Sequence, residues 1–150
     1  VTGRRTRTIC AASLMAVLAP VAAGCSQEGG TPSAAVSRAS AAVASATASA
    51  RAQLDKVKGG INVKGEVKAG AVSTDRNGRA VAPITVTNTS RDTADYAVEV
   101  TFRNAKGDLV DATVLTVRSV RPRTAAKAVA RSHRKLTGKI TARIGTALRY

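Results

Sequence analysis

The sequence predicts an all-β protein whose folded part, residues 61–150, is an antiparallel β-sandwich. Two observations predict it. From Ile61 onward the apolar residues recur with a period of two. Turn signals (Asn77-Gly78, Lys106-Gly107-Asp108, Arg121-Pro122-Arg123) punctuate the chain at short intervals. A third observation shapes the core. Aromatic residues make up only 2% of the chain and Trp is absent. The interior must therefore be built from Val, Ile, Leu and Ala around Tyr96 and Phe102.

Ile61, Val63 and Val67 alternate with Asn62, Lys64, Glu66 and Lys68 and read as a first strand. Residues 73–78 are turn-like, and Asn77-Gly78 is a strong hairpin signal. A strand follows in which Ile84 and Val86 face one way and Thr85 and Thr87 the other. Pro83 donates no backbone hydrogen bond and places the beginning of that strand at an edge or bulge. Residues 88–93 form a polar connection. The clearest strand is 96–102, with Tyr96, Val98, Val100 and Phe102 on one face. Residues 104–108 make a short hairpin loop, 109–120 a long β-branched strand, and 121–123 a turn. A weak strand at 126–130 and the alternation Ile140, Ala142, Ile144 complete the set. Several short strands between turns, over about 90 residues, suit one immunoglobulin-like unit.

The stretch Ile84-Thr85-Val86-Thr87-Asn88-Thr89-Ser90, the strand 96–102 and Lys106-Gly107-Asp108-Leu109-Val110 resemble the FxLYD-type immunoglobulin-like domains of secreted bacterial proteins, particularly actinobacterial lipoproteins. The Phe-x-Leu-Tyr-Asp signature itself does not occur here. The resemblance implies a β-sandwich and no catalytic activity.

The first 24 residues read as an export signal. Arg4, Arg5 and Arg7 precede an uncharged run, 9–23, that is shorter than the roughly 20 residues a spanning helix needs. The run ends in Val21-Ala22-Ala23-Gly24-Cys25, which resembles the lipobox of bacterial lipoproteins. The resemblance implies cleavage before Cys25 and attachment of diacylglycerol to its sulfur. The expected location is then the outer face of the cell membrane, with the protein held by its lipid. Ala22 stands where that family prefers a larger aliphatic residue. The Arg4-Arg5 pair leaves twin-arginine and general export both open.

Residues 25–60 would be the lipidated cysteine and a spacer. Between Ser33 and Ala52, ten of twenty residues are Ala and five are Ser. Alanine favours helix and serine competes with it. Val36, Val43, Ala50 and Val57, spaced by seven, make a weak stripe with Leu54. The expectation is a solvated, partly helical spacer that Gly59-Gly60 ends.

The chain has 24 basic and 9 acidic residues, a formal charge of +15. From Arg118 to the end, every charged residue is basic. Such a surface attracts polyanions over roughly a Debye length of 8 Å. The candidate polyanion-binding residues are Arg131, Arg134, Lys135, Lys139 and Arg143. Lys139 and Arg143 are expected on the solvent face of the last strand, and the other three in the connection before it. No reading helix, aromatic platform or Gly-rich clamp points to nucleic acid. Two cysteines and one histidine exclude a metal site of four Cys/His ligands. His133 lies beside Ser132 among cations, and neighbours in a strand face opposite ways, so the pair reads as loop residues and not as a catalytic dyad. The pairs Asp92/Asp95 and Asp108/Asp111 read as turn residues and local salt partners. Asn88-Thr89-Ser90 has the glycosylation pattern and reads as a turn.

The expected function is non-enzymatic: a lipid-anchored structural or binding module at the membrane–wall boundary, without a cofactor. The alternative is a secreted basic protein that binds anionic envelope polymers or membranes. Other envelope proteins are possible partners under either reading.

Overall fold

The computed structural model describes residues 32–150, and side chains from Val36 onward. The signal-peptide reading of residues 1–24, the lipobox residues Val21, Ala22, Ala23 and Gly24, and Cys25 lie outside the described residues.

An alanine-rich run folds as helix α1, Pro32–Leu54. No helix among the described residues is long and apolar enough to cross a membrane. The weak apolar stripe decides which way α1 faces. Ala50 and Leu54 are buried and Val43 and Val57 half-buried, while Val36 is left in solvent. One stripe of the helix is packed and the rest of its described surface faces solvent. It lies along one strand of the sandwich, β6, and reaches its neighbour β5 (ranges below). Two small outward side chains there, Ala97 and Ala112, are buried beside it and leave room for close approach. The helix stops five residues before Gly59, and Val57 closes the final turn by donating to the Leu54 carbonyl.

Eight strands follow: β1 Ile61–Asn62, β2 Val67–Ala69, β3 Ser73–Thr74, β4 Arg79–Thr87, β5 Ala94–Arg103, β6 Leu109–Val120, β7 Ala125–Lys135 and β8 Thr141–Arg149. They form two antiparallel sheets. One has the order β1-β8-β5-β6. In the other, β4 lies between β7 on one side and β2 and β3 on the other. The chain therefore changes sheet between β1 and β2, β4 and β5, β6 and β7, and β7 and β8, which ties the two layers together repeatedly.

The first expected strand is interrupted. A single 3₁₀ turn, Lys64–Glu66, lies between β1 and β2 and carries the chain from one sheet to the other. Only Val67 of the expected alternating trio is fully buried; Ile61 is exposed. The Asn77-Gly78 signal does make a hairpin, with Gly78 at φ +75°. Asp75 accepts the backbone N–H groups of both Asn77 and Arg79 at 2.9 Å and fixes that turn.

Pro83 is not at the start of its strand, which begins at Arg79. Its carbonyl accepts from Gly70, so its nitrogen points to the same side, into the break between β2 and β3. No ladder donor is lost there. Gly70 is needed opposite, because a Cβ on it would stand 2.8 Å from the proline ring.

Strand β5 is the hub of its sheet, and the expected face is the buried one. Tyr96, Val98, Val100 and Phe102 are all fully buried. They meet Ala80, Ala82, Ile84 and Val86 of β4, with Val117, Val120, Ala130 and Ala147 closing the cluster. The loop after β5 turns at Gly107, φ +88°, and the Asn104 side chain accepts from Lys106 and Asp108.

Strand β7 is longer than expected. Arg131, Ser132, His133, Arg134 and Lys135 belong to it and not to a connection. Their side chains are too polar to announce a strand. Pairing with β4 through Val81↔Arg131 and Arg79↔Lys135 makes them one.

Candidate functional site

The five candidate cations are not one patch. Arg131 projects from β7 and its Nε lies 3.3 Å from Asp75. Two backbone N–H groups and this guanidinium hold the Asp75 carboxyl below its usual range, against slight desolvation. Arg134 is a fastener. It donates to the Ala39 carbonyl of α1 at 3.4 Å and to the Val110 carbonyl of β6, and so pins the helix to the sandwich. Lys135 lays its stem over Gly78.

Only Lys139 and Arg143 come together. With Arg103 they line a shallow cleft of about 300 Å³ at the 104–108 loop, along with Asn104, Ala105, Gly107 and Thr141. Lys139, Thr141 and Arg143 are exposed as expected, opposite the half-buried Ile140, Ala142 and Ile144. Sequence reasoning missed Arg103 as a member. It stands on the outward face of β5, with Thr141 as its register partner. That adjacency follows from the β5–β8 pairing and not from any local motif. Arg103 also donates to the Gly107 carbonyl at 2.7 Å, which orients its guanidinium beside the cleft.

Compared with known protein families, curated proteins and solved structures, the chain matches none of them. The chemistry of its polar groups must therefore be read from geometry.

Asp111 is neither a turn residue nor an exposed salt partner. It is buried in β6, accepts the His133 backbone N–H at 2.7 Å and the Ala112 N–H at 2.8 Å, and lies 3.3 Å from His133 Nδ1. It thereby bridges two strands that belong to opposite sheets. Ser132 is buried on the other side of β7. It donates to the Arg134 carbonyl at 2.7 Å and accepts the Ala80 N–H at 3.0 Å. Its proton is committed to a backbone carbonyl, and its neighbour His133 turns toward Asp111 and solvent. Among the described residues no group of three His, Cys, Asp or Glu side chains gathers as a metal site would.

Asn88, expected in a polar connection, is fully buried. Its amide donates to the Asp92 and Val120 carbonyls at 2.8 Å each, and its oxygen accepts from Ser90 twice. It joins the β4–β5 connection to the end of β6. Asp95 accepts the Ser119 N–H at 2.7 Å, where the backbone takes φ +53°.

A further polar cluster locks the 3₁₀ turn. Glu66 accepts from the Tyr96 hydroxyl at 2.6 Å and from Arg149 Nη1 at 2.7 Å, and also from the Thr89 hydroxyl. Burial alone would raise the Glu66 carboxyl. The donors Thr89 and Tyr96, with the Arg149 charge, outweigh it and hold the carboxyl below 4.5. Burial, then the bond to Glu66, pushes the Tyr96 hydroxyl up from 10.0 to about 12.

The signs follow. A phenol that ionises later in the folded chain gives stability that is fully present below pH 10 and is lost as pH rises through about 12. The loss should be roughly 2–3 kcal/mol. Glu66 contributes stability above pH 4.5 that is lost as pH falls through its lowered value. Urea midpoints of wild type and Tyr96→Phe between pH 8 and 12 check the alkaline limb. The variant should lose distinctly less stability than wild type over that range, and parallel curves would refute the assignment.

Proposed function

We propose that this protein is an exported, lipid-anchored, non-enzymatic binding module displayed on the outer face of the cell membrane. One observation carries the non-enzymatic part. The buried polar residues Asn88, Asp111 and Ser132 are spent on backbone groups of neighbouring strands, while cations dominate what faces solvent. The polar chemistry of the sandwich is fastening, and its outward chemistry is attraction. An immunoglobulin-like relationship is supported by the pairing β4 with β7 and β5 with β8. These stand where such folds pair their second strand with their fifth-lettered one and their third with their sixth.

The anchor reading rests on Gly24-Cys25 behind the uncharged run 9–23. Each buried CH₂ contributes roughly 0.8 kcal/mol, so two acyl chains hold a protein stably on a bilayer. Cys25→Ser should move the protein from the detergent phase to the aqueous phase on phase partitioning. A variant that stays with the detergent as wild type does would sink the anchor.

A second reading, binding of anionic envelope polymers or membranes, is favoured by the Arg103, Lys139 and Arg143 cleft. Retention on wall polymer or anionic liposomes should fall steeply from low to high salt. Changing Arg103, Lys139 and Arg143 to Gln should reduce it more than changing Arg131, Arg134 and Lys135, which the fold does not gather into one cleft. Equal retention of both variants would leave a merely solvated basic surface.

A further inference from the structure

Strand β8 has a neighbour along its whole length on only one side. Toward β5 it pairs from Thr141 to Arg149. On its other side β1 pairs only with Leu148 and Arg149, and Val63 adds one bond to the Ala147 carbonyl. The chain then leaves for the opposite sheet through the 3₁₀ turn. Among the described residues, no strand pairs with residues 141–146 on that side. Alternate N–H and C=O groups of a strand point to each flank, so this edge presents unpaired backbone groups.

The edge also opens onto the sandwich interior. Val67 and Ala69 of β2 and Ala142 and Ile144 of β8 line a groove between the two sheets, with Lys64 and Arg143 at its rim. Ala142 and Ile144 lean toward the core yet are only half-buried. A further strand beside β8 would cover them.

We propose that the β8 edge binds an extended acidic segment of a partner protein by strand addition, with acidic and apolar residues alternating. The two periodicities coincide. In an added strand one set of side chains would enter the groove over Ala142 and Ile144, which calls for aliphatic residues. The other set would stand beside Arg143 on the outward face, with Lys139 in the loop just before the strand, which calls for carboxylates. Charge also selects against a second copy of this chain. Pairing two β8 edges would bring Lys139 and Arg143 of each copy against those of the other, in a protein of formal charge +15. Six residues of added strand would span roughly 20 Å. This inference gives the module a polypeptide partner and does not depend on the lipid anchor.

The test uses the full chain in detergent and synthetic peptides of about eight residues. One alternates Glu and Val, a second Glu and Ser, and a third Lys and Val. Fluorescence anisotropy measures affinity, and amide hydrogen exchange locates binding. The Glu/Val peptide should bind and slow exchange within residues 141–146, and the other two should bind at least roughly tenfold more weakly. Arg143→Glu, on an exposed position, should reverse the preference toward the Lys/Val peptide. Equal binding by the Glu/Ser peptide would mean general polyanion attraction and overturn strand addition. So would protection centred on β6, an unchanged preference in Arg143→Glu, or peptide-free dimers protected at 141–146. Retention of membrane anchoring in Cys25→Ser with peptide binding intact would refute the anchor alone.

Discussion

Phe102→Ala should lower the unfolding free energy by about 3–5 kcal/mol, the range for removing a fully enclosed phenyl ring. Phe102 is fully buried and stands on β5, which is flanked by β6 on one side and β8 on the other. With so few aromatics in the chain, no second ring can swing in to fill the cavity. A domain of about this size has a total stability of roughly 5–13 kcal/mol. The variant should therefore be partly unfolded at moderate temperature. Equilibrium urea unfolding, followed by far-ultraviolet circular dichroism, measures it. A midpoint within error of wild type would place the ring outside the core and overturn the register of β5.

Asn88→Ala should cost roughly 2–4 kcal/mol, more than its place between strands suggests. The substitution removes little volume, but it strands the Val120 and Asp92 carbonyls and the Ser90 N–H, which the Asn88 side chain now satisfies. Buried groups left without partners cost about 1–3 kcal/mol each, less whatever water can reach. Asn88→Asp should be at least as damaging near neutral pH, because a carboxylate cannot donate to the two carbonyls. Denaturation of both variants gives the comparison. If Asp were tolerated and Ala were neutral, the network would contribute nothing to the fold.

How far these features were legible in the sequence depends on the range of the interaction that creates them. β5, β6 and the 104–108 loop were readable because a period of two and a glycine turn are local signals. The weak stripe on α1 was readable as well, down to Ala50 and Leu54. Its partner was not, because Ala97 and Ala112 announce themselves as a helix seat only once β5 and β6 lie side by side. The extent of β7 was hidden by its polar side chains, since β4 and not hydrophobicity recruits Arg131 to Lys135 into a strand. Asn88 was misjudged for the same reason. Its composition is that of a turn, and its burial is set by Val120, distant in sequence. In the candidate cleft, Lys139 and Arg143 were found from alternation alone. Arg103 needed the cross-strand register, and the tying-up of Arg134 needed the helix.

The pairing of β1 with β8 also sets an order in time. Ile61 stands opposite Arg149, and Glu66 waits for that same arginine, so the first strand is completed by a residue 88 positions further along the chain. Contacts this distant in sequence form late, because loop closure must be met before they stabilise anything. Until that contact forms, β1 lacks its partner and Tyr96 is hydrogen-bonded to a carboxylate without its cation. Completion of this sheet thus depends on the most sequence-distant contact of the sandwich. A chain clipped before Arg149 would keep β8 beside β5, yet its 3₁₀ turn would lose the cation that holds Glu66 and the entry into the sandwich would come loose.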